Sequence, residues 1–180
     1  MLENFSALPG YTRRGGELYC EDIKLTDLAK RFGTPLYVYS HAALTAALTD
    51  WLHGIEGRPH RVFYAMKANS NLALLSLFAR AGTGFDIVSC GELSRALMAG
   101  AKAADIVYSG VGKSRQDIAT ALKAGIGCFN VESIPELDRV HDVAVSLKTT
   151  APVSIRVNPD VDAKTHPYIS TGLKNNKFGV

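Results

Sequence analysis

From residue 60 onward the sequence keeps a regular interval. Short apolar runs begin near Arg61, Phe85, Ile106, Cys128 and Val153, and each of the first four is followed by ten or so residues of helical pattern. The interval is roughly 21 to 25 residues. That spacing predicts parallel strands joined by crossover helices, because a parallel pair cannot be closed by a tight turn. Two α/β architectures satisfy it, an open doubly wound sheet and a closed (β/α)8 barrel of the TIM type. A dinucleotide-binding sheet would carry G-x-G-x-x-G after its first strand; here that strand runs into KANSNLALL, which favours the barrel. A barrel needs about eight such units in roughly 250 residues. Five strands would leave open edges, so the expectation is the first five βα units of a longer protein.

The helix starts carry their own signals. Ser89 with Glu92, Ser114 with Asp117 and Ser133 with Glu136 each place a hydroxyl at an N-cap and an acid three residues later. Before the repeat begins, ELYC (residues 17–20) reads as a short strand and Thr26 as the N-cap of DLAKRFG. TPLYVYS is extended and strand-favouring, since Pro35 bars the helix from continuing. HAALTAALTDWLHGI then sets Leu44, Leu48, Trp51, Leu52 and Ile55 on one helical stripe, stopped by Gly54 and Gly57.

Composition narrows the classes of function. With 47% apolar residues the chain can build a core. A net charge of +3 from 20 basic and 17 acidic residues, with no basic block, excludes nucleic acid as the expected partner. Cys20, Cys90 and Cys128 are far apart and odd in number, which predicts reduced thiols in a cytoplasmic protein rather than a disulfide framework or zinc knuckle. No secretory signal or membrane-length apolar run is present, so no membrane partner is expected. The histidines form no metal spacing with acids, and no metal is expected.

SGVGKS (residues 109–114) ends like a phosphate-binding loop, but the glycine that loop requires five residues before Gly112 is Val107. A flexible turn leading to the Ser114 cap accounts for it. Lys67 is of another kind. It follows FYAM, a run that should fill a core, and so stands at the carboxyl end of a parallel strand, where barrels place reactive groups. Desolvation there would lower its pKa and favour the free amine that attacks a carbonyl. Position alone leaves that reading open beside an ordinary surface lysine.

The surrounding residues resemble a known family. YAMKAN (residues 64–69) is similar to the cofactor-lysine motif of the fold-type III pyridoxal-phosphate enzymes, the group-IV decarboxylases and, more distantly, alanine racemase. GFDIVSCGELSRAL (residues 84–97) resembles their second signature, with Cys90 replacing a small residue. KRFGTPLYVYS (residues 30–40) and RVNPDVDAKTHPYISTGLKNNKFG (residues 156–179) resemble, within that family, the diaminopimelate decarboxylases. The likeness runs from about residue 10 to residue 180.

That resemblance implies an alanine racemase-like barrel over residues 31–180, with residues 1–30 an N-terminal segment joining the C-terminal β-domain of the full protein. It implies pyridoxal 5′-phosphate as cofactor, Lys67 as the Schiff-base and catalytic lysine, and Asp86 and Arg156 as cofactor-binding residues. Asp86 would lie within reach of the lysine and serve as a candidate partner for Arg156, whose place inside VSIRV demands one. His166 falls in the family's loop after the fifth strand, without an assigned step. The implied reaction is decarboxylation of meso-diaminopimelate to L-lysine in lysine biosynthesis, by a cytoplasmic homodimer acting on a small amino acid. Ornithine, arginine or carboxynorspermidine as substrate, or a non-catalytic homologue, are the alternatives. The family's phosphate loop, its acidic partner of the ring nitrogen and its substrate-binding residues lie downstream of residue 180, so this chain alone is not expected to be a complete enzyme.

Overall fold

The computed structural model describes residues 8–160 and 179–180. Its chain contacts divide it into two compact units, Met1–His60 and Arg61–Val180.

The first unit opens with an antiparallel meander, β1 (Tyr11–Arg14), β2 (Glu17–Cys20) and β3 (Ile23–Lys24). Gly15 and Gly16 form its first turn with φ of 57° and 83°, the left-handed pair that a tight hairpin requires and that glycine adopts without steric cost. Helix α1 (Leu25–Phe32) begins directly after β3. Lys24 takes the N-cap position without a side-chain cap, and Thr26 sits in the first turn instead of capping it. Residues 33–40 bend at Thr34 and Pro35 and join no ladder among the described residues, a correction to the strand preference of TPLYVYS. Ser40 caps α2 (His41–Gly54), accepting from Ala43 N at 3.1 Å while its hydroxyl donates to Glu21 Oε1 at 2.9 Å.

The second unit is the repeat. Strands β4 (Phe63–Ala65), β5 (Gly84–Ile87), β6 (Ile106–Tyr108), β7 (Cys128–Val131) and β8 (Val153–Ile155) stand where the interval placed them. Between them run α3 (Leu72–Arg80), α4 (Cys90–Met98), α5 (Arg115–Ala124) and α6 (Ile134–Ser146). All five strands are parallel and lie in the order β4-β5-β6-β7-β8. Every crossover therefore moves one strand onward in the same direction. A doubly wound sheet would reverse its order at a switch point, so this progression is that of a (β/α)8 barrel, seen here over its first five strands.

Strand alternation gives the sheet two unlike faces. Register pairs Tyr64 with Phe85, Phe85 with Ile106, Ile87 with Tyr108 and Tyr108 with Phe129, and from Phe85 to Phe129 these residues are 0 to 1% exposed. Leu75 and Phe78 of α3, Leu93 and Ala96 of α4, Ile118 and Ala121 of α5, and Val140 and Val143 of α6 are among the buried helix residues. Burial of each large side chain contributes about 1.5–3 kcal/mol, so this helix-covered face holds the unit together. The other face carries Ala65, Asp86, Val107, Cys128, Asn130 and Ser154, linked by the same registers.

Local chemistry starts each helix. Ser89, Ser114 and Ser133 all accept from the backbone N–H three residues on. Asp117 closes the reciprocal box on Ser114, whereas Glu92 and Glu136 reach one residue further back, to Val88 N at 2.7 Å and Glu132 N at 2.9 Å.

Gly84 marks a tight point of the sheet, since a Cβ there would stand 2.5 Å from both Asp105 O and the Phe63 ring. Gly84→Ala is expected to lower stability by about 1–3 kcal/mol through overpacking. A reduced urea midpoint at unchanged m-value would show it.

Candidate active site

The carboxyl ends of the five parallel strands lie on one edge of the sheet, and the polar side chains gather there. Lys67 stands on a single 3-10 turn, Met66–Ala68, directly after β4. Met66 is fully buried and anchors that turn. Tyr64 stacks on Phe78 with ring centroids 4.5 Å apart, and its hydroxyl donates to Asn69 O at 3.2 Å. The polar residues after the lysine are structural. Asn69 Oδ1 accepts from Asn71 N, Asn71 Oδ1 caps α3 by accepting from Ala73 N, and Arg95 Nε donates to Ser70 O, all at 2.9 Å. A fixed backbone thus presents Lys67 on an exposed turn, with no ion pair or hydrogen bond to its amine among the described residues. The expected desolvation is corrected: Lys67 lies two residues past the half-buried β4, on an exposed turn.

Asp86, on β5, is aligned with Ala65 of β4. Its Oδ1 accepts from Ser109 Oγ at 2.5 Å, and Ser109 Oγ accepts in turn from Asn130 Nδ2 at 2.9 Å. The direction of this row is fixed, because the serine has one proton to give and the carboxylate takes it. Asp86 makes no ion pair with Lys67 among the described residues.

Arg156 does not pair with Asp86. Its Nη1 donates to Glu132, at 3.0 Å to Oε2 and 3.3 Å to Oε1. Three strand spacings separate β8 from β5, about 14 Å along the sheet, whereas β7 is adjacent. Glu132 also accepts from Gly110 N at 3.2 Å and is only 4% exposed, against 41% for Arg156. Ser109, Asn130, Glu132, Ser154 and Arg156 line one cavity of about 340 Å³.

Behind its wall lies a buried lysine, Lys113, from the SGVGKS segment that the sequence predicts to be a flexible turn. Lys113 Nζ donates to Gly110 O at 2.5 Å, Asn130 O at 2.9 Å and Glu136 Oε1 at 2.7 Å. Lys113 and Glu136 side chains are 1% and 4% exposed. Ser109, Asn130 and Glu132 were likewise missed. The available signal was the alternation of FNVE and VSIR, where every second residue turns polar at a strand's carboxyl end. His166 lies outside the described residues. No group of three His, Cys, Asp or Glu residues able to hold a metal occurs among those described, and no described helix is long and apolar enough to cross a membrane.

The donor set fits an aldehyde-bearing, anionic cofactor. A primary amine follows the carboxyl end of β4, an oriented carboxylate and a guanidinium lie along the ends of the other strands, and the cavity wall is polar. The chain belongs to the pyridoxal-dependent decarboxylases: residues 41–180 match that family's pyridoxal-binding domain. It is similar to diaminopimelate decarboxylases among them. The diaminopimelate decarboxylase of Pseudomonas fluorescens is 56% identical over 174 residues, which are 96% of this chain and 42% of that protein. The crystal structure of the Helicobacter pylori diaminopimelate decarboxylase complexed with L-lysine superposes with a TM-score of 0.82 at 50% identity, over 86% of this chain and 39% of that one. The diaminopimelate decarboxylase of M. jannaschii in co-complex with L-lysine gives 0.86 at 39% identity, over 94% and 41%. The chain thus spans about two fifths of the length of the relatives it matches.

Cys90, the departure from the family signature, is a packing residue. Its thiol lies 3.6 Å from Asp117 O, and burial pushes its pKa up to about 11. A raised thiol pKa depletes the thiolate at neutral pH, so alkylation of Cys90 at pH 7.5 is expected on the order of 100-fold slower than that of a free thiol. Mass-spectrometric labelling should show the rate rising about tenfold per pH unit toward pH 10.

Proposed function

We propose that this chain is the cofactor-anchoring part of a diaminopimelate decarboxylase, which removes one carboxylate of meso-diaminopimelate to give L-lysine. The observation that carries the reading is the row Asp86–Ser109–Asn130 beside Glu132–Arg156, at the same sheet edge as the turn bearing Lys67. Similarity to relatives of that name, two of them solved with L-lysine, supports the substrate.

Pyridoxal phosphate, when bound, supplies an electron sink for the pair left on the α-carbon as the carboxylate departs. The protein's part is to hold and orient. Lys67 Nζ is the covalent anchor, kept on a turn that Met66 and the Tyr64–Asn69 hydrogen bond fix in place. Asp86 is oriented by Ser109 at Oδ1, which leaves Oδ2 as the oxygen that would accept a proton or hydrogen bond from the bound cofactor or substrate. Arg156, steered by Glu132, brings a cationic group to the cavity rim, where anionic ligands are favoured.

The protein would act as a cytoplasmic homodimer. Three free cysteines are consistent with a reducing compartment. Residues 1–30 are assigned to a β-domain completed by the rest of the protein, a reading that the small β1–β3 sheet supports.

The holoenzyme is expected to show visible cofactor absorbance, and borohydride followed by peptide mapping should find the reduced cofactor on Lys67. Lys67→Ala should lose both the absorbance and the release of CO2 from diaminopimelate. A cofactor still covalently trapped in that variant would refute the anchor.

A further inference from the structure

Lys113 lies outside the cavity, yet each of its three donors ends on the backbone or side chain of an element that builds the wall. Through Gly110 O it fixes the residue next to Ser109. Through Asn130 O it fixes the strand position whose side chain holds Ser109, and Ser109 holds Asp86. Through Glu136 Oε1 it fixes a carboxylate whose other oxygen accepts the N–H of Glu132, the partner of Arg156. Arg139 Nη1 donates to Lys113 O at 3.1 Å, which ties the backbone of the lysine itself to α6.

We infer that Lys113 is the positioning residue of this site: from behind the wall it sets the placement of Ser109, Asn130 and Glu132, and through them of Asp86 and Arg156. A burial argument favours this over a simple stabilising pair. A buried ion pair gives little net stability over a well-packed apolar pair, since desolvation offsets the attraction. An ammonium, however, offers three donors in a tetrahedral arrangement, and here all three are used on separate elements. A planar guanidinium holds its donors in a fixed fork and does not reproduce that arrangement.

The inference rests on the decarboxylase reading, and its test separates the two. In the holoenzyme, K113M/E136Q removes both buried charges, while the side-chain amide introduced by E136Q retains an acceptor for Glu132 N. K113R keeps the charge that Glu136 needs and so provides a folded variant independently of the neutral pair. Both are expected to unfold within a few degrees of the parent. Both should lose about 100-fold in kcat/KM, the scale of loss when reacting groups shift by about an ångström. Cofactor affinity, followed by fluorescence titration of the apoprotein, should weaken at least about tenfold, a change that a merely stabilising pair would not cause. Parental kcat/KM and cofactor affinity in either folded variant would overturn the inference. An unmodified protein without cofactor absorbance would instead overturn the decarboxylase reading on which it rests.

Discussion

A parallel strand covered by helices has only every second side chain free of the core, and the site of this protein is written in those free positions. Phe85, Ile87, Ile106, Tyr108, Phe129 and Val131 are spent on the helix-packed face. Their neighbours Asp86, Ser109, Asn130 and Glu132 are then obliged to point the other way, and so do Ser154 on the last strand and Arg156 directly after it. A shift of one residue in any strand's register would exchange the two sets and bury a carboxylate among the helices. The apolar face thus specifies the geometry of the polar one.

Once register is set, charge balance shapes the cavity wall. Two carboxylates, Glu132 and Glu136, are buried within one turn of each other, and each has a cation: Arg156 from the neighbouring strand and Lys113 from the loop after β6. In the fully buried pair, Lys113 with Glu136, removing one partner leaves an uncompensated charge at a cost of about 3–5 kcal/mol, which ties the loop after β6 to the start of α6. Lys67 stands apart from this network on its exposed turn. That separation suits its assignment, since an amine engaged in an ion pair is withheld from reaction.

Much of this was legible in the sequence, for a physical reason. Strand positions and helix caps depend on local patterns, and the apolar interval, Ser89, Ser114 and Ser133 are where the sequence predicts. Partner choice depends on strand order, which no local pattern encodes. Asp86 seemed available to Arg156 only while their strands' separation was unknown, and Glu132 became its partner because β7 adjoins β8. Lys113 was illegible for the same reason. In SGVGKS it reads as a loop lysine, and its burial arises only when Gly110, Asn130 and Glu136, from three separate elements, close around it. Lys67 departs in the opposite sense: an apolar strand predicts a desolvated amine, but β4 ends at Ala65 and the 3-10 turn that follows carries the lysine into the open.

On this reading the polar ends of the strands hold the pyridoxal cofactor, with Lys67 as its anchor. A crystal structure of the holoenzyme tests that most directly. Continuous density from Lys67 Nζ to a ring lying against the edge formed by Asp86, Ser109, Asn130 and Arg156 is the predicted result. Density on another lysine, or a ring bound away from that edge, would contradict it.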